Sequence, residues 1–434
     1  MFRHVLVFAC FAGCVPQEAD VAATRSTSSI DKPDQPQAAS LAFRREHVTA
    51  DIYHYELVLP VGSGPNAAVR VHRIVREAAP FVPRSTSHAA MLLHGDFSTF
   101  VTNFAPTLGA PASPAGGLAP YLAAHDLDVW GVDRRWTLPG AGDDLSDFAA
   151  MGVAQELDDL RTALAFARAV RLAGGSGGGT LALVGFSHGA ELAYTYAAVE
   201  GARPPAQRHA GALVALDFYG DYGPEQADDR AATCGLSAFE YQLVADGSTD
   251  SPNDFLISTG QLARTAPAGA SPLIDGLTNR DVMLLTVGQT YLFAPLAPFY
   301  HLLSPILDGD AAVGLRETGE PAAAAWLAGA SPHQAVLESA DLDALLCGEG
   351  AQPVDAPLSH IRVPLLYIGA AGGVGSLGLH ATTRVSSTDV TTFVVQRFGA
   401  DQRAADFGHA DLLFADDAPA LAWQPLAIWL AHHG

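Results

Sequence analysis

Thr180-Leu181-Ala182-Leu183-Val184-Gly185-Phe186-Ser187-His188-Gly189 reads as an apolar strand running into a G-x-S-x-G turn, and Ala190–Val199 continues it with a helical pattern. A short, fully apolar run suits a strand buried on both faces. Glycines on either side of Ser187 permit a sharp strand-to-helix turn and a close approach of strand and helix, which lifts the hydroxyl to the carboxyl edge of the strand. The helix N-terminus beneath it favours developing negative charge. Ser187 is therefore the candidate nucleophile.

The same alternation extends outward from this stretch. Tyr53–Val61 and Val69–Arg76 read as two early strands. Ala89–Leu93 ends at His94-Gly95, Leu127–Val132 ends at Asp133, and Ala212–Leu216 follows the nucleophile helix. Gly152–Leu172 places Val153, Leu157, Leu160, Leu164 and Ala167 at helical spacing. Such alternation predicts right-handed βαβ crossovers and an α/β fold, a mostly parallel sheet flanked by helices. The rhythm breaks between Phe218 and Leu358, where helices are expected only over Ala231–Ala245, Pro295–Leu307 and Glu320–Ala328. It resumes with strands at Pro364–Ile368 and Val390–Phe398 and a last helix over Ala420–His432. The expected organisation is a core of residues 51–217 and 359–434, with residues 218–358 inserted as a cap between the sixth and seventh strands.

With 49% hydrophobic and 16% charged residues in a chain of 434, a large core can form and wholesale disorder is excluded. A formal charge of −22 repels nucleic acid and anionic lipid heads, so neither is an expected partner. At the N-terminus, Arg3 and His4 precede the apolar run Val5–Ala12, and Phe11-Ala12-Gly13-Cys14 resembles a bacterial lipobox. Residues 1–14 are thus expected to direct export, with lipidation at Cys14 and residues 15–50 as a flexible tether. Cleavage by an ordinary signal peptidase nearby is the alternative. Either route places the protein in the periplasm or at the cell surface, touching the membrane only through the anchor. Cys234 and Cys347 then remain as an even pair in an oxidising compartment and are expected to form a disulfide, two buried thiols being the alternative. No Cys/His spacing suggests zinc, and no metal or organic cofactor is implied.

An acyl-transfer site needs two backbone N–H groups for an oxyanion and a base for the nucleophile. The first N–H is expected from His188, just after Ser187. The second is expected from Asp96 or Phe97 in the turn after the third strand, with the Asp96 side chain serving that turn. Among 16 histidines, position decides the base. His409, in Phe407-Gly408-His409-Ala410-Asp411, lies between the last strand and the last helix and is placed to reach the nucleophile edge. His380 is second.

Together, Leu93-His94-Gly95-Asp96, Leu127-Asp128-Val129-Trp130-Gly131, Glu156-Leu157-Asp158-Asp159-Leu160, Gly185-Phe186-Ser187-His188-Gly189 and Gly408-His409-Ala410-Asp411-Leu412-Leu413 resemble the α/β-hydrolase superfamily, most of all its acid-lipase and lipase-like branch. The resemblance covers about residues 88–217 and 360–430. It implies a Ser–His–acid triad, hydrolysis of small-molecule or lipid-like esters, and a cap that shapes the substrate site. The sequence departs from it at one place. The family's acid usually follows the seventh strand, and here Leu366-Tyr367-Ile368-Gly369-Ala370-Ala371-Gly372-Gly373-Val374 has no carboxylate. Asp217 at the end of the sixth strand is the first candidate for a migrated acid and Asp221 the second. Asp389 and Asp401 are further candidates. If none serves, the chain is a degraded hydrolase scaffold acting as a surface binding protein. Haloperoxidase-like or lyase chemistry on the same fold has no residue in its favour.

Overall fold

Every neighbouring pair from the fourth strand onward in the central sheet runs parallel, and the three earlier strands add an antiparallel flank. The computed structural model describes residues 43–108, 116–140, 142–293, 300–350 and 354–434. The strands are β1 (Phe43–Thr49), β2 (Ile52–Pro60), β3 (Ala68–Ala79), β4 (Ala89–Leu93), β5 (Asp128–Asp133), β6 (Leu181–Phe186), β7 (Ala210–Leu216), β8 (Leu365–Ala370) and β9 (Val390–Val395). They lie side by side in the order β1-β2-β3-β5-β4-β6-β7-β8-β9, and Val82–Pro83 adds a short extension to β3. Strands β4, β5, β6 and β8 are buried along their whole length, which is why they read as continuous apolar runs. Helices cover both faces. Phe100, Leu122, Trp423 and Leu430 pack on one, and Leu157, Leu160, Leu164 and Tyr194 on the other.

The order changes direction at β4, which has β5 on one side and β6 on the other. At such a switch point the loops after the strands part and leave a crevice at their carboxyl ends. His94 follows β4 and Ser187 follows β6, so both lie at the carboxyl ends of the strands beside that switch point.

Two sequence expectations are corrected. Residues 15–50 were expected to be tether, yet Phe43–Thr49 forms an edge strand paired along its length with β2. Its polar composition hides it. The strand is held by charge, with Arg45 Nε donating to Glu77 Oε1 at 2.8 Å, rather than by an apolar face. A helix was expected over Pro295–Leu307. Pro305–Asp308 is instead a strand, paired antiparallel with Ala311–Leu315 across Gly309 at φ 59°, and residues 294–299 lie outside the described residues. Cys14, the export segment and the tether up to residue 42 also lie outside them. No described helix is long and apolar enough to cross a membrane.

Between β7 and β8 the chain builds a largely helical insertion. Helix Ala227–Ala245 packs on Val336–Cys347, and Asp254–Thr265 packs on Glu320–Ala328. The expected Ala231–Ala245 and Glu320–Ala328 helices are present, while Asp254–Thr265, Asn279–Gly288 and Val336–Cys347 gave no clear sequence signal. One segment of the insertion is woven into the core. His301 N–H donates to Gly372 O at 3.0 Å, and Ala410 N–H to Leu302 O at 2.7 Å. Cys234 and Cys347 form a disulfide, Cα atoms 5.4 Å apart, between the first and last helices of the insertion. This bond closes a sequence separation of 113 residues. Replacing both cysteines with serine should therefore lower stability by about 2–4 kcal/mol, measured as a fall in thermal midpoint that reductant reproduces in the native chain. An unchanged midpoint would mean that the helix pair holds itself together.

Candidate active site

Ser187 sits at the tip of the β6 turn with φ 57° and ψ −135°, a conformation that costs a non-glycine residue about 1–3 kcal/mol. The flanking glycines explain how the turn closes. A Cβ on Gly185 would overlap Gly189 O and Ala190, and one on Gly189 would overlap the carbonyls of Leu93 and His94. Ser187 N–H donates to Leu216 O at 3.1 Å, which ties the Ser187 turn to the end of β7.

Asp217 follows Leu216 and is fully buried, with φ 50°. Its Oδ1 accepts from the N–H groups of Ala370 and Gly375, both at 2.7 Å. Its Oδ2 accepts from Val374 N–H at 3.0 Å and from His409 Nδ1 at 2.8 Å. The loop after β8, which carries no carboxylate of its own, thus wraps the carboxylate that β7 supplies. Gly373 makes the room, since a Cβ there would overlap Asp217 Oδ2. The other acids weighed from sequence are engaged elsewhere. Asp221 pairs with Arg230 at 2.9 Å, Asp389 pairs with His433 at 3.1 Å, and Asp401 lies in an exposed turn. His380 faces Asp221 at 3.8 Å.

His409 is buried, and its ring stacks on Phe186 at 4.7 Å between centroids, next to Ser187. Its loop is pinned from below. Asp411 Oδ2 accepts from Gly408 N–H and Ser304 N–H, both at 2.8 Å, and Oδ1 accepts from Thr318 Oγ1 at 2.6 Å. His409 N–H donates to His301 O at 3.1 Å. Neither Asp411 nor His301 was foreseen. Asp411 stood inside the quoted motif, but His301 belongs to a stretch with no readable pattern.

The expected oxyanion turn lies beside Ser187, and a Cβ on Gly95 would come within 2.8 Å of Ser187 Cβ. Phe97 has φ 44°, and its N–H, expected to serve an oxyanion, donates to Gln334 Oε1 at 3.1 Å. Among the described residues, the Asp96 N–H has no acceptor. The Asp96 side chain, expected to serve its own turn, instead binds His188 Nδ1 at 2.5 Å and accepts from Gln334 Nε2 at 2.6 Å. Arg134, unforeseen, donates to the carbonyls of His94 and Gly95 at 2.9 and 3.0 Å and pairs with the buried Glu338 of the insertion. His94 donates from Nδ1 to Gly95 O at 2.8 Å, and burial beside Arg134 pushes it down to about 3, so it is neutral.

Behind the turn is a set of acids, Glu191 buried and Asp343 and Glu240 half-buried. Burial would discharge His188, but Asp96 and Glu191 outweigh it and hold the ring as a cation, up to about 10. Burial, added to by other acids and opposed by His188, raises Glu191 to about 8, Asp343 to about 7 and Glu240 to about 9. A cavity of about 250 Å³ behind the helix His188–Gly201 is lined by Glu191 and Tyr194 and by neither Ser187 nor His409.

One other cluster has the composition of a metal centre. Ligand atoms of His54, Glu56 and His72 all lie within 4.8 Å of one another. The geometry is that of a hydrogen-bond chain. His54 Nε2 and His72 Nδ1 are 2.9 Å apart and the ring centroids 5.1 Å, close to the greatest separation that contact allows. The two nitrogens point straight at each other rather than converging on an ion, and His72 passes the chain to Asp133 at 3.0 Å.

No protein-family model matches the chain, and no curated protein matches its sequence. Solved structures do. A candidate lipase from Sulfolobus solfataricus superposes with a TM-score of 0.57 at 15% identity, covering 91% of this chain and 99% of that one. A soluble variant of monoglyceride lipase from Saccharomyces cerevisiae, bound to a substrate analogue, gives 0.43 at 11% identity, with 92% and 98% covered. Esterase E22 gives 0.40 at 13%, with 88% and 99% covered. At these identities the likeness concerns the fold, and the chain has the α/β-hydrolase fold.

The buried acids carry a pH dependence. Carboxyls raised in the folded state stay protonated there while the unfolded chain releases its protons, so they cost stability as pH climbs from the ordinary carboxylate range to about 9. His188, raised to about 10, likewise loses its contribution as pH rises. The thermal midpoint should fall between pH 7 and 9, above the range in which the depressed histidines His54, His94 and His301 add stability as pH rises, and Glu240→Gln should flatten that slope. A midpoint that rises over this range would contradict the arrangement.

Proposed function

We propose that the protein is a serine hydrolase that cleaves carboxylic esters through an acyl-enzyme. The observation that carries this reading is the 2.8 Å contact between Asp217 Oδ2 and His409 Nδ1, with the same carboxylate held by three backbone N–H groups. A buried acid on Nδ1 sets the imidazole tautomer with its lone pair on Nε2 and stabilises the cation that forms when that nitrogen takes a proton. His409 then removes the proton of Ser187 as its Oγ attacks the ester carbonyl. The N–H groups of His188 and Asp96 receive the oxyanion. His409 returns the proton to the leaving alcohol, and a water activated by the same imidazole releases the acid. The strained turn at Ser187 belongs to this reading, since such backbone persists where function requires it.

The fold neighbours support hydrolysis in general, and the ester class rests on the site. The substrate proposed is a small or lipid-like ester held under the insertion. The contact of Asp217 with His409 speaks against the reading as a degraded scaffold, whose motive was a missing acid. The Cys234–Cys347 disulfide is in keeping with export to an oxidising compartment, and lipidation at Cys14 remains part of the proposal.

Rapid-quench kinetics with a p-nitrophenyl ester series test the reading. The expected result is a burst of p-nitrophenol of one equivalent per chain, an acyl group mapped to Ser187, and a loss of turnover of about 10⁶-fold in Ser187→Ala, on the scale of other serine hydrolases. Steady hydrolysis that survives Ser187→Ala would overturn it.

A further inference from the structure

The two N–H groups assigned to the oxyanion belong to residues whose side chains grip each other. Asp96 and His188 are 92 positions apart, yet Asp96 Oδ1 lies 2.5 Å from His188 Nδ1. The contact spans the gap between the β4 turn and the nucleophile helix, so it sets the spacing of the two donors. A third residue completes the brace. Gln334 Nε2 donates to the same Asp96 oxygen at 2.6 Å, and Gln334 Oε1 accepts Phe97 N–H at 3.1 Å. One amide thus binds both faces of the turn that presents the Asp96 N–H. Gln334 comes from the insertion, just ahead of the helix Val336–Cys347. Its neighbours reinforce the hold, with Ser331 N–H donating to Phe97 O at 2.7 Å and Trp326 lying 5.4 Å from the Phe97 ring.

Resting on the hydrolase reading above, we propose that Gln334 is a positioning residue of the insertion, which fixes the oxyanion turn through Asp96 and Phe97 and so makes the catalytic geometry depend on a docked cap. Three features distinguish this from packing. The amide is specific, because only a side chain with both a donor and an acceptor serves a carboxylate and an N–H at once. It is directed at Phe97, whose positive φ needs an external hold. Its own backbone is secured independently, with Gln334 N–H donating to Asp250 Oδ1 at 3.1 Å and Ser251 N–H to Gln334 O at 2.9 Å. Truncating the side chain therefore removes the brace and keeps the loop.

The test compares native protein with Gln334→Ala and Gln334→Glu on a p-nitrophenyl ester, and adds inhibition by a trifluoromethyl ketone, whose hemiketal oxyanion occupies the same hole. Misplacement of an oxyanion donor by a fraction of an ångström costs on the order of 10–100-fold. The expected result for Gln334→Ala is a fall of that size in kcat with KM within about twofold, and a matching rise in the ketone inhibition constant. Gln334→Glu sets a carboxylate against Asp96 and should lose at least as much. Unchanged kcat and ketone affinity in Gln334→Ala would overturn the proposal while leaving the hydrolase reading intact. A fall in kcat without loss of ketone affinity would also overturn it, since the hole would then be undisturbed. If native protein shows neither turnover nor ketone binding, the hydrolase reading itself fails.

Discussion

The carboxylate of Asp217 is the point to which the rest of the site is tied. It leaves β7 in a left-handed backbone conformation, turns under the neighbouring strand, and is held by Ala370, Val374 and Gly375 before it meets His409. Charged or hydrogen-bonded groups buried this completely persist only when their lone pairs are satisfied. Here the backbone donors come from a loop of small residues, Ala370-Ala371-Gly372-Gly373-Val374-Gly375, whose lack of side chains is the complement of the acid it receives. A carboxylate on that loop would compete for the same space.

The insertion is joined to the core around the candidate site. It meets the core at the His409 loop through His301 to Ser304, and at the oxyanion turn through Ser331, Gln334 and Glu338. Both groups of contacts bear on residues beside Ser187 and His409. Around His188 the same interface buries more carboxylates than cations, and burial relieves this by keeping several of them protonated. The insertion and the candidate site thus share one set of interactions.

The α/β class, the parallel sheet and the positions of Ser187 and His409 were legible because they rest on local signals, namely apolar strand runs and a glycine-flanked turn. Asp217 was legible only as one of several carboxylates, since nothing local shows that β7 and β8 are neighbours or that Gly373 clears a space. Gln334, Arg134 and Asp411 were not legible as site residues, because each acts across 40 or more positions or from inside a turn that only tertiary structure defines. The edge strand Phe43–Thr49 was hidden for the opposite reason. It buries little and pairs through backbone and charge, so it leaves no apolar pattern.

The most direct test of the central claim is the turnover of Asp217→Asn under conditions where native protein hydrolyses an ester. The amide keeps the size of the side chain but leaves His409 without the carboxylate that sets its tautomer. A loss of about four orders of magnitude in kcat, with the fold retained by circular dichroism, is the result predicted. Activity within tenfold of native would mean that another group serves His409, and that the carboxylate lent by β7 is a structural anchor rather than the acid of the triad.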